Sequence, residues 1–146
     1  MPSASRTITI NRPTADVFAF VADGANATKW RSGVLDVGHV SGKEVGEQWS
    51  QGVKGPGGRR IAADYEITAW QPPTRMDFKA IAGPVRPTGS YALAASGDRA
   101  TQLSFQLSAE LSGLKRLLMG GAGQRTMDAE MTALDRLKSI LEGGPA

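Results

Sequence analysis

The sequence predicts an α+β domain: one strand, two short helices, six further strands that complete a seven-stranded antiparallel sheet, and one long C-terminal helix. Three observations carry this. Apolar and polar residues alternate through the middle of the chain, clusters of Gly, Pro, Asp and Ser separate the alternating runs, and helical spacing is confined to a stretch after residue 10 and to the last third. Ser5 to Ile10 is the first strand, with Ile8 and Ile10 on one face and Thr7 and Thr9 on the other. Asn11-Arg12-Pro13-Thr14 then puts Pro near a first helical position, and Val17, Phe18 and Val21 at helical spacing give a short helix to Ala22 that Gly24 ends. Ala25 to Trp30 forms the second short helix, and Arg31-Ser32-Gly33 turns the chain into extended structure.

Six strands follow, over Val34 to Ser41, Glu47 to Lys54, Arg59 to Trp70, Met76 to Ala82, Ser90 to Ala95 and Thr101 to Leu111. Their separators are turn sequences, among them Gly42-Lys43-Glu44, Gly55-Pro56-Gly57-Gly58 and Gln71-Pro72-Pro73-Thr74. Two strands have the clearest pattern. Ile61, Ala63, Tyr65, Ile67 and Ala69 share one face and Leu103, Phe105, Leu107, Ala109 and Leu111 another, each against a polar opposite face, as in a half-buried antiparallel sheet. Helical periodicity returns in Leu114 to Met119, is interrupted at Gly120-Gly121-Ala122-Gly123, and resumes from Arg125 to Glu142, where Gly143-Gly144-Pro145 ends it. Glycines 120, 121 and 123 cost about 1 kcal/mol each inside a helix, so either something offsets that cost or the helix stops there; a loop or close packing on the sheet is expected, with a hinge or thinned wall as the alternative.

With 146 residues, 40% of them hydrophobic and 21% charged, residues 1–146 read as a single domain able to build its own core. The absence of cysteine removes disulfide scaffolds, thiolate metal sites and thiol catalysis. One histidine, His39, excludes multi-histidine metal centres. With no GxSxG motif near it, His39 reads as a structural or surface residue. A net charge of +3 is too small to argue for nucleic acid. No apolar run approaches the roughly 20 residues of a membrane span, and Met-Pro-Ser-Ala-Ser-Arg lacks the layout of a signal peptide, so a cytoplasmic location is expected.

The order of elements is that of the helix-grip architecture. The chain resembles the START-like (SRPBCC) superfamily and, within it, the polyketide cyclase/dehydrase branch. The likeness lies in Ile10-Asn11-Arg12-Pro13 followed by Val17-Phe18 and Asp23, in Lys29-Trp30, in Val45-Gly46, in Tyr65-Glu66-Ile67 followed by Pro72-Pro73 and Arg75-Met76, and in Leu134 to Glu142. The resemblance implies a curved sheet wrapped around the last helix, with a cavity between them for a hydrophobic small molecule, a lipid or a polyketide-like compound. The superfamily mixes binding proteins, transporters and cyclases, so the fold alone does not choose among them.

Projected at about 100° per residue, Met127, Met131, Leu134, Leu137 and Leu141 fall on one arc of the last helix, and Glu130 lands among them. A carboxylate on that face is either a candidate general acid or base and ligand anchor, or the partner of an arginine. Met127 and Met131 with Phe78, Phe105, Tyr65 and Tyr91 would give an adaptable apolar lining, unless they are ordinary core. Tyr65 and Tyr91 add hydroxyls that hold a ligand oxygen, and Gln51, on the face of Trp49 and Val53, serves likewise. Lys54 to Arg60 lacks Walker spacing and reads as a hairpin turn, with Arg59, Arg60 and Arg86 as either a cationic rim or a solvated edge.

The expected function is binding, carriage or sequestration of a hydrophobic small molecule without covalent chemistry. The expected ligand-binding residues are Gln51, Tyr65, Phe78, Tyr91, Phe105, Met127, Glu130, Met131 and Leu134, with no metal and no cofactor. The rival is a polyketide cyclase or dehydratase in which Glu130, with Tyr65 or Tyr91, moves protons. A third reading is a protein-interaction role, and a homodimer through a sheet edge or the glycine-rich segment is a further possibility.

Overall fold

The computed structural model describes residues 3–31, 33–54, 56–82, 86–108 and 113–143, and of residues 3, 56 and 113–127 the backbone alone. Strand β1 (Ser3–Ile10) is followed by helix α1 (Thr14–Ala22), a 3-10 turn (Gly24–Asn26) and the single-turn helix α2 (Ala27–Trp30). Strands β2 (Val34–Ser41), β3 (Gln48–Lys54), β4 (Arg60–Ala62), β5 (Tyr65–Gln71), β6 (Arg75–Ala80), β7 (Thr88–Ala95) and β8 (Thr101–Ser108) precede helix α3 (Gly113–Glu142). The strands form one sheet in the order β1-β8-β7-β6-β5-β3-β2, with β4 paired to β3, and every pairing is antiparallel. The crossover through α1 and α2 therefore carries the chain from one end of the sheet to the other.

The long fourth strand expected over Arg59 to Trp70 is two strands. Between them Ala63 N–H donates to Gln51 O, and Asp64 Oδ1 accepts the Gln51 N–H at 3.0 Å, so a side chain replaces a ladder partner and the strand breaks. A register shift between Ile67 and Ala69 makes a second departure. The extra residue reverses the alternation, so Trp70, paired with Met76, turns to the core and packs edge-on against Phe18 at 5.2 Å. Ala69 instead pairs with Asp77 and leaves the face it was expected to share with Tyr65 and Ile67.

The last helix differs as well. Of the readings open for Gly120 to Gly123, the loop is absent, and α3 runs unbroken through these glycines. Their cost is entropic rather than steric, about 1 kcal/mol each, and a helix already nucleated on both sides propagates through them. Ala109 and Leu111, expected at the end of the final strand, lie outside the described residues.

The core fills the space between the concave face of the sheet, α1 and the second half of α3. Leu103, Phe105, Ile67, Ile10 and Val17 from the sheet and α1 meet Leu134 and Leu137, all nearly inaccessible to solvent. Met131 and Leu141 extend the same stripe, so the apolar arc of the last helix is the face it buries. Arg6 ties α3 along β1 by donating to Met131 O at 3.1 Å and to Asp135 at 2.6 Å, and Lys138 donates to Thr9 O at 2.5 Å. Buried Thr101 closes the start of α1, its hydroxyl within hydrogen-bonding distance of Arg12 O and the Thr14 hydroxyl. Among the described residues no helix is long and apolar enough to cross a membrane.

Candidate functional site

Four strands bring an aromatic ladder onto the concave face. Tyr65 on β5 meets Phe78 on β6 with centroids 5.7 Å apart, Phe78 meets Tyr91 on β7 at 5.9 Å, and Tyr91 stacks on Phe105 of β8 at 4.5 Å with planes 7° apart. Trp30, the last residue of α2, closes on Tyr91 from the helical side at 6.4 Å. Phe78 is able to lie across the sheet because its neighbour on β7 is Gly89. A Cβ at position 89 would overlap the Phe78 ring and stand 2.9 Å from Leu107 Cδ2. Gly89→Ala should therefore destabilise the fold by about 1–3 kcal/mol, the usual penalty of overpacking. Thermal unfolding checks this, and a neutral or stabilising substitution would refute the close packing.

The residue after Trp30 supplies the charge. Arg31 leaves α2 in an extended conformation and turns its guanidinium inward. Its Nε donates to Glu130 Oε2 at 2.7 Å, its Nη2 to Glu130 Oε1 at 3.1 Å, and its Nη1 to Gln51 Oε1 at 3.0 Å. Gln51 in turn donates to Ala63 O at 3.3 Å, so α2, α3, β3 and the break between β4 and β5 are pinned to one group. Only 15% of the Arg31 side chain and 12% of the Glu130 side chain remain exposed. Burial opposes the guanidinium charge, but the charge and hydrogen bonds of Glu130 outweigh it and hold Arg31 protonated beyond its ordinary range.

Between the ladder and α2 lies a cavity of about 30 Å³, bordered by Val21, Asp23, Gly24, Ala27 and Trp30 on the helical side and by Gln51, Tyr65, Met76, Phe78 and Tyr91 on the sheet side, with Arg31 at one end. That is room for one or two waters. Burial raises the Tyr65 hydroxyl to about 12, with Arg31 pulling it back and Glu47 and Asp23 pushing it further. Burial raises the Tyr91 hydroxyl as well, against the pull of Arg31. Both are neutral hydrogen-bond donors near pH 7.

Of the residues singled out in the sequence, Gln51, Tyr65, Phe78 and Tyr91 border the cavity, and Glu130 reaches it through Arg31. Phe105, Met131 and Leu134 sit in the core and do not border it. The Met127 side chain lies outside the described residues. His39 stands away from the cavity, with Nε2 2.8 Å from Gly42 O and 3.2 Å from Glu47 Oε2. Arg60 is held by Asp36 through two 2.8 Å bonds, and neither Arg59 nor Arg60 borders the cavity. Among the described residues no group of His, Asp or Glu converges as metal ligands. Sequence reasoning missed Arg31, which reads locally as part of a turn. The available signal was Glu130 itself, since a carboxylate on an apolar arc calls for a cation, and Arg31 directly follows a tryptophan that has to be buried.

Solved structures share this fold. A protein from Thermus thermophilus superposes with a TM-score of 0.82 at 16% identity, over 99% of this chain and 100% of that one. The Zhui aromatase/cyclase from Streptomyces sp. R1128 gives 0.72 at 13% identity over 95% and 94% of the two chains, and a START superfamily protein from Mycobacterium smegmatis gives 0.70 at 13% over 91% and 94%. At such identities the likeness establishes the helix-grip, START-like fold. No curated protein matches the sequence. The profile of one family matches residues 1–142, nearly the whole chain. The chain belongs to that family, described as polyketide cyclase / dehydrase and lipid transport.

Proposed function

We propose that this protein binds a hydrophobic small molecule between the aromatic ladder and α2, taking the molecule's polar end on Arg31, Tyr65 and Tyr91. Family and fold support hydrophobic-ligand binding or polyketide-cyclase activity in general. The observation that favours binding is the state of the ionisable groups around the cavity. Both oxygens of Glu130 are engaged by Arg31, and the two tyrosines are held protonated, so the one ionisable group of the cavity border left to accept a proton is Asp23, which is exposed at the rim. Proton transfer of the cyclase or dehydratase kind needs such a group within hydrogen-bonding reach of the substrate.

The cavity, about 30 Å³, is far below the roughly 300–1,000 Å³ of pockets that enclose a drug-sized ligand. Binding therefore requires side chains to give way. Half-buried Phe78, which borders the cavity, is the ring placed to do so. Native mass spectrometry of the purified protein, alone and after exposure to a panel of bicyclic aromatic compounds, tests this reading. The expected result is a one-to-one complex that dissociates on unfolding. A protein that stays at its chain mass against the whole panel would overturn it.

A further inference from the structure

The hydrogen-bonding groups around the cavity are unequally engaged. Arginine has five N–H donors; Arg31 uses one each from Nε, Nη1 and Nη2, leaving one on each terminal nitrogen. Tyr65 and Tyr91 add two hydroxyl donors on the cavity wall, and no hydrogen bond to a described residue enters the protonation balance of either. Trp49, whose ring lies against Gly24 at the cavity border, has a buried Nε1 without a partner among the described residues. The acceptors on Glu130 and Gln51 are committed instead. Glu130 gives both carboxylate oxygens and Gln51 its Oε1 to Arg31, while Asp23, exposed at the rim, receives Ala25 N–H at 3.0 Å.

Charge narrows the choice further. Glu130 already neutralises Arg31, so a carboxylate entering the cavity would meet Glu130 and Asp23 with no uncompensated cation to pair with, and would lose its hydration. A neutral carbonyl oxygen accepts from the idle donors at no such cost. We infer that the cavity selects hydrophobic molecules headed by a neutral carbonyl, a ketone, ester or amide, over the carboxylates of the same skeleton, and that Glu130 sets this selectivity by acting through Arg31. The inference rests on the binding reading above. In it Arg31 touches the ligand, and Glu130 is a positioning residue that decides what charge the ligand carries.

Three probes of one shape separate the possibilities: 2-acetylnaphthalene, 2-naphthoate and 2-ethylnaphthalene, titrated at pH 7.5 against the full chain. The parent should bind the ketone about tenfold or more tighter than the ethyl compound and the naphthoate. In Glu130→Gln the shape is kept and Arg31 loses its counter-charge. Naphthoate should then gain tenfold or more, overtake the ketone and raise the thermal midpoint of the variant, which it does not do for the parent. A purely structural role for Glu130 would instead weaken all three probes in parallel. The double variant Arg31→Met/Glu130→Met decides the case if Glu130→Gln does not fold: in it the ketone's advantage over the ethyl compound should shrink to about threefold or less, since the charged donor is gone and only Tyr65 and Tyr91 donate, while naphthoate, with no cation to meet, stays the weakest of the three. Naphthoate bound as tightly as the ketone by the parent, a parallel loss in folded Glu130→Gln, or a ketone preference over the ethyl compound that is undiminished in the double variant overturns the inference. Equal binding of all three by the parent overturns it while leaving the binding reading intact, and binding of none overturns both.

Discussion

Arg31→Met, with Glu130 left in place, should lower the unfolding free energy by about 3–5 kcal/mol, a loss characteristic of breaking a buried ion pair from one side. The loss comes from stranding the carboxylate. Glu130 is at least as enclosed as Arg31, both of its oxygens point at the guanidinium, and the apolar arc of α3 flanks it on the side of Met131 and Leu134. Removing both charges is a different experiment. Arg31→Met/Glu130→Met leaves two flexible apolar side chains in the same volume and should return to within about 1–2 kcal/mol of the parent, because the desolvation of both ions is then no longer paid. Urea unfolding of the parent, the two single variants and the double variant closes the cycle. The surface pairs provide the control. Arg60–Asp36, with each side chain about half exposed, and Arg6–Asp135 should each contribute far less despite bonds of 2.8 and 2.6 Å. If Arg31→Met costs no more than Asp36→Asn, the pair at the cavity is no more than a surface contact and the positioning role of Glu130 fails with it.

How much of this was legible in the sequence follows the range of the interactions. Local patterns were sufficient for β8, where Leu103, Phe105 and Leu107 alternate inward as expected, and for the second half of α3, where Met131, Leu134, Leu137 and Leu141 form the buried stripe. Local patterns failed where one residue changes phase. The register shift after Ile67 leaves one trace in the sequence, Trp70 directly after Ala69, a large apolar residue where the alternation calls for a polar one. The break at Asp64 leaves no local trace, since its cause is a hydrogen bond to Gln51 N–H from thirteen residues away. The site divides in the same manner. Glu130, Tyr65, Tyr91 and Gln51 stand out by chemistry on faces that the periodicity assigns, whereas Arg31 acquires its meaning from a partner 99 residues away. Cavity size was the least legible quantity. It depends on whether Phe78 lies flat over Gly89, a matter of one side chain's rotamer and one missing methyl group.

Phe105→Ala should cost about 3–5 kcal/mol, a large fraction of the 5–15 kcal/mol that holds a typical domain, and the variant should recover part of the loss on binding benzene. Phe105 is 1% exposed, and its ring is the base on which Tyr91 is stacked. Two responses to the deletion compete. Tyr91 can swing into the space, or the space can stay open. Swinging would carry the Tyr91 hydroxyl in among Leu103 and Leu107 and away from Arg31, at roughly 1–3 kcal/mol for a buried polar group without a partner. It would also pull the ring off Phe78 and Trp30 on its other side, so that one void is exchanged for another. Filling a void of the order of 100 Å³ returns only about 2.4 kcal/mol at 24 cal/mol per Å³, which the two penalties together offset. The void therefore persists, dry and lined by aliphatic and aromatic carbon, and benzene at saturating concentration should raise the thermal midpoint of Phe105→Ala by several degrees while leaving the parent unmoved. A variant that unfolds near the parent's midpoint and ignores benzene would mean that Tyr91 collapses freely, and the rings would then be a loose lining instead of a stack. The outcome also bears on why the natural cavity is so small. Tyr65, Phe78 and Tyr91 are both cavity wall and part of the core, so any widening of the cavity comes at the expense of packing.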